Sequence, residues 1–149
     1  MKMIATISLT VWTAVFAMAA ETTNVTAIIK GRRVELSSDD RAQLVQKSFE
    51  LLASCGYMEA NPRWGTTAEP QSIADAQKQS HLRLVFSSAH KVEIPTEKVT
   101  VKAREIVISL PLTAAGIWVR TDDAVQYFAK FDHTASEALQ KQLDKAGNP

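Results

Sequence analysis

Few side chains in this sequence are of the types that do chemistry, and their spacing limits what they can do. The three histidines, His81, His90 and His133, fall on what read as different elements. None stands at the i, i+4 spacing that lets two imidazoles of one helix share a zinc ion, and no cysteine cluster completes a ligand set. Each is expected at the surface or at a strand end, and no metal site is predicted. Cys55 is the only cysteine, so no internal disulfide can form. It could in principle pair with a histidine as a nucleophile, but it comes at the C-terminal end of a predicted helix, where the partial negative charge of the backbone opposes a thiolate. Burial is its expected role. Asp122 and Asp123 are adjacent, so their carboxylates diverge, and a turn accounts for them better than an acid–base pair or a calcium site. No Gly-x-Ser-x-Gly, phosphate-cradling loop or dinucleotide fingerprint occurs among the five glycines. No catalytic residue is assigned and no cofactor is implied. The reading leans away from an enzyme without excluding one.

One pattern goes beyond an ordinary fold. If Ile106, Ile108 and Leu110 face a helix together with Leu82, Leu84, Phe86, Ile117, Val119, Val125, Tyr127 and Ala129, the opposite sheet face still carries Val85, Val107, Trp118 and Phe128. These are interleaved with Arg83, Glu105, Ser109, Arg120, Gln126 and Lys130. Such a face is neither a clean solvent face nor a clean core. Trp118, Phe128, Val107, Arg83 and Arg120 are therefore the candidate binding residues, as aromatic and aliphatic anchors rimmed by cations. The alternative is that the segment from Tyr57 to Ser80 or a terminus folds over this face, with Trp64 packed on it. The turn at Asp122 decides part of the question. A three-residue turn sets Trp118 opposite Phe128, whereas a two-residue Asp-Asp loop sets Trp118 against Tyr127. The former is expected because it keeps both apolar sets in register.

The elements that must position these residues are legible to different degrees. The organising stretch is Ala103 to Phe131, with a strand from Glu105 to Leu110 ended by Pro111 and then a hairpin whose arms are Ile117 to Thr121 and Val125 to Phe131. Before it, His81 to Ser87 alternates as a strand. A turn is expected at Ser87 to Ala89, a further strand from His90, a break at Pro95-Thr96 and a short extended piece from Val99. Two short strands are expected after Asn24, with Gly31 at the tight turn between them. Ser37 and Asp40 form a capping-box pattern ahead of Leu44, Val45, Phe49, Leu51, Leu52 and Cys55, which recur at helical spacing. Gly56 is expected to end that helix. From Tyr57 to Ser80 neither period holds, apart from a short helix through Ile73 to Lys78. A last helix is expected from His133, with Thr134 and Glu137 as its capping box and Leu139 and Leu143 as its contacts.

Together these predict an α+β domain. Its antiparallel sheet has about five or six strands, with one main amphipathic helix packed on one face and a short C-terminal helix. Helix followed by meander is similar to cystatin-like or grip-like architectures in shape only; the cystatin pattern Gln-x-Val-x-Gly is absent, and no family is assigned.

The start of the chain has Lys2, an apolar run from Met3 to Phe16 and small residues at Ala17, Ala19 and Ala20, which is the layout of a cleaved secretory signal. Residues 1–20 are read as that signal and 21–149 as a single domain, placed in the periplasm or secreted. Across the chain 17 Lys and Arg face 16 Asp and Glu. Lys2 lies in the signal, so the remainder is formally neutral. It has no basic field for nucleic acid, and no membrane span is expected once the signal is removed. The expected function is an exported, non-enzymatic binding protein that meets another protein or an envelope component through the outer face of its sheet. The alternatives are a small envelope hydrolase without a recognisable motif, or an accessory subunit of an envelope assembly.

Overall fold

The structure, a computed structural model, describes residues 22–60, 76–112 and 116–147, with side chains described from 24 to 56 and over the two later ranges. The signal-like start, Ile73 and Trp64 lie outside the described residues. Strand β1 spans Thr22–Ile29 and β2 Arg32–Arg33. Lys30 and Gly31 between them both take positive φ, 51° and 75°, the pairing a two-residue hairpin needs to match strand twist. Helix α1, Ser38–Ala53, begins on the expected capping box. The Ser37 hydroxyl accepts from the Asp40 amide at 3.1 Å, and the Asp40 carboxylate accepts from the Ser37 amide at 3.4 Å. Leu44, Val45, Leu51 and Leu52 are buried along one stripe.

The end of α1 differs from expectation. Its cap is Ser54, and Gly56 stands just before the next element. The Gly56 amide donates to the Lys130 carbonyl at 2.7 Å, and a Cβ on Gly56 would stand 3.2 Å from that oxygen. The glycine therefore permits a close backbone approach where the chain enters β3, Tyr57–Ala60. No alternation announces that strand, and its pairing with a distant partner creates it.

Strand β4, His81–Ile94, is continuous, where a turn at Ser87 to Ala89 was expected. Its ladder with β5, Val99–Ser109, instead shifts register between Val85 and His90. Along β4, Leu82, Leu84 and Phe86 and, beyond the irregularity, Val92 and Ile94 keep one alternation and face inward. On β5 the inward set changes from Val101 and Ala103 to Ile106 and Ile108. The extended piece at Val99 is thus the beginning of β5. The break at Pro95 is real: the turn closes by Glu97 and Lys98 amides on the Ile94 and Pro95 carbonyls, each at 3.2 Å.

Strands β6, Ile117–Arg120, and β7, Val125–Ala129, form the expected hairpin with the other register. Trp118 pairs with Tyr127 and Ile117 with Phe128, so the loop is the two-residue one. Thr121 explains why this loop closes without glycine. Its amide donates to the Ala124 carbonyl at 2.8 Å, and its hydroxyl accepts from the Asp123 and Ala124 amides at 3.3 and 3.1 Å. Because side chains alternate with period two, the one-residue difference turns all of β7 over. Phe128 points to the helices, while Val125 and Tyr127 point away from them.

Helix α2, His133–Gly147, follows. Its first turn is satisfied by Asp132, whose carboxylate accepts from the Ala135 amide at 3.1 Å, rather than by Thr134. Glu137 meets His133 at 3.1 Å instead. The sheet order is β2-β1-β4-β5-β6-β7-β3, with every pairing antiparallel. The architecture is therefore α+β, with six antiparallel strands edged by the two-residue β2 and both helices on one face. Between sheet and helices lie Leu44, Leu51, Leu84, Ile106, Ile117, Phe128, Leu139 and their neighbours, all fully buried. Among the described residues no helix is long and apolar enough to cross a membrane.

Candidate functional site

The face of the sheet turned away from the helices is set by two rows of paired residues. Val85, Glu105, Arg120 and Val125 lie across β4 to β7 in one row, and Arg83, Val107, Trp118 and Tyr127 in the next. Glu105 sits on the central strand of this group, with a cation on the strand at either side. Arg83 Nε donates to its Oε1 at 2.8 Å, and Arg120 Nε donates to its Oε2 at 3.3 Å. Gln77 Nε2 adds a third donor to Oε1 at 3.2 Å. The carboxylate is 12% exposed and the arginines 39% and 40%. A carboxylate withdrawn this far from water needs its donors, and three are present. Each arginine spends only its Nε–H on Glu105, leaving the terminal N–H groups with no partner among the described residues.

Beside this cluster the Trp118 and Tyr127 rings meet at 5.2 Å and 53°, a tilted aromatic pair. Gly116 makes room for it, since a Cβ there would lie 2.5 Å from the Tyr127 ring. Trp118 is half-buried, and its Nε1 is buried without a hydrogen-bond partner.

The sequence-predicted residues divide three ways. Arg83, Arg120 and Trp118 lie together on the outer face. Val107 lies there too but is fully buried: with Val125 it packs against Ala76, in the helical turn over residues 76–78 that also supplies Gln77. That much of the segment before β4 does fold over this face. Phe128 is a correction. It is fully buried among the helix-side residues, because the two-residue loop carries it to the opposite face from Trp118. Tyr127 takes its place beside Trp118, an exchange the shorter of the two turn registers allowed. Glu105 was visible as a residue of this face, but its role in joining two cations was not. Gln77 falls within the short helix expected through Ile73 to Lys78, but nothing local pointed its side chain to Glu105.

The other candidates for chemistry stay apart. His81 is buried at the start of β4 with Nδ1 2.8 Å from the Gln79 carbonyl, and only His133 is at the surface. His90, expected at a strand end or the surface, is buried within β4. It stacks on Phe49 at 5.0 Å and on Phe86 at 5.3 Å, rings nearly parallel, because β4 runs on through it in the same alternation as Leu82, Leu84 and Phe86. Cys55 is fully buried, and its carbonyl accepts from the Thr96 hydroxyl. Asp122 is exposed and pairs with Arg104 at 2.7 Å. Among the described residues no three His, Cys, Asp or Glu side chains gather as a metal site would require.

No protein-family model matches this chain, and neither the curated proteins nor the solved structures yield a match.

Proposed function

We propose that this protein is an exported, non-enzymatic binding protein that holds a protein partner through the outer face of its sheet, at Arg83, Glu105, Arg120, Trp118 and Tyr127. The observation that carries this reading is the pair of half-exposed guanidinium groups anchored on one nearly buried carboxylate beside a tilted aromatic pair. Arginine, tryptophan and tyrosine are the residues that most often dominate binding energy where a surface meets a partner. Here the arginines are already ordered by Glu105, so less side-chain freedom is lost on association. The signal-like start supports a partner in the periplasm or beyond.

The test is affinity capture from envelope extract with the wild-type protein and with Trp118→Ser and Arg120→Gln. The reading expects a partner retained by the wild type and lost from both variants while their amide spectra remain those of a folded protein. Identical partner sets from all three forms would sink it.

A further inference from the structure

We propose that the partner held by this face presents a carboxylate, an acidic side chain of a protein segment, to the terminal N–H groups of Arg83 and Arg120. The inference rests on the reading of the outer face as a partner surface and adds the chemistry of what it takes.

Three observations lead there. First, the cluster has an excess of donors. Two guanidinium groups, each with five N–H donors, share the single carboxylate of Glu105 through Nε alone. Among the described side chains, what this cluster lacks is further acceptor oxygen. Second, the charges do not cancel. Among the described residues of the cluster, two arginines against one glutamate leave a surplus of one positive charge, which a single carboxylate neutralises and a phosphate dianion would overshoot. Third, the guanidinium groups are held in place from one edge. Arg83 and Arg120 lie on the strands either side of Glu105 and in adjacent rows, so two strand spacings and a two-residue offset along the strands set their Cα atoms roughly 12 Å apart. Glu105 draws both toward the middle of that span. The outward edge of a guanidinium fixed this way offers the parallel pair of N–H groups that a planar carboxylate accepts in bidentate fashion.

The probes are a blocked tetraglutamate peptide, inorganic phosphate, and sodium chloride at matched ionic strength, each titrated into 15N-labelled protein while the arginine Nε–H and Trp118 indole N–H signals are followed. A saturable shift of the Arg83 and Arg120 signals with the peptide is expected, with phosphate binding no more tightly. Arg83→Gln and Arg120→Gln should each weaken the peptide about tenfold to a hundredfold, the usual worth of a hydrogen bond to a charged group. Arg83→Lys keeps the charge and the Glu105 contact but loses the fork, and should also weaken the peptide. Peptide shifts no larger than those of chloride, tighter binding of phosphate than of peptide, or full peptide affinity in both glutamine variants would each overturn the inference. Capture from extract separates the two levels. A partner lost with Trp118→Ser yet kept by Arg83→Gln and Arg120→Gln removes the carboxylate and leaves the surface standing, whereas a partner kept by all the variants removes the surface itself.

Discussion

Shortening Phe128 to alanine tests the hairpin register on which the site depends. The two possible turns place this ring in opposite surroundings, and the energies differ accordingly. In the observed register the ring is fully buried between sheet and helices, opposite Ile117. Its removal then costs the transfer of a phenyl group plus the cavity left behind, about 3–5 kcal/mol. At the size of this chain that is a fall in Tm of roughly 10–20 °C. Tyr127→Ala, removing a half-buried ring from the outer face, should cost clearly less, about 1–2 kcal/mol. Urea titration followed by far-UV circular dichroism gives both values, and an unchanged slope with denaturant would show that the compactness of the two states is preserved. A loss below about 1 kcal/mol for Phe128→Ala, with Tyr127→Ala the more damaging, would refute the register. It would return Phe128 to the outer face beside Trp118.

Two further outcomes follow from the same geometry. Gly116→Ala drives a Cβ into the Tyr127 ring, so it should destabilise by about 1–3 kcal/mol. In a Tyr127→Ala background most of that loss should vanish, and an undiminished cost in the double mutant would contradict the contact. Thr121→Val removes the hydroxyl that accepts from the Asp123 and Ala124 amides. It should cost about 1–2 kcal/mol and raise hydrogen exchange at Ala124; unchanged exchange there would show that the hydroxyl does not close the turn.

Much of the fold was legible because it rests on local chemistry. Ser37 and Asp40 predict the start of α1 because the capping box is made by residues three apart, and Gly31 predicts its hairpin because few residues take positive φ. The apolar spacing from Leu44 to Leu52 identifies the buried stripe for the same reason: one turn of helix brings these side chains together whatever surrounds them. β3 was not legible, since its four residues become a strand only by pairing with β7. Neither was the continuity of β4, where Ser87 and Ser88 read as a turn but are carried through by the ladder on either side of the shift. The candidate site shows the same division. Arg83, Trp118 and Arg120 were read correctly onto one face, because alternation within a strand is local. Phe128 was misplaced because a choice between two and three loop residues inverts β7.

By itself the sequence determined which residues of β6 and of the first half of β4 share a face, the main helix and its N-cap, and that familiar catalytic and metal motifs do not occur in it, all of which depend on neighbours within a few residues. Only the tertiary structure decided that Tyr127 rather than Phe128 stands beside Trp118, and that Glu105 joins Arg83 to Arg120. It also decided that Ala76 and Gln77 close over Val107 and Glu105. These contacts join positions distant in the chain, and the register between strands, which no single strand encodes, brings them together.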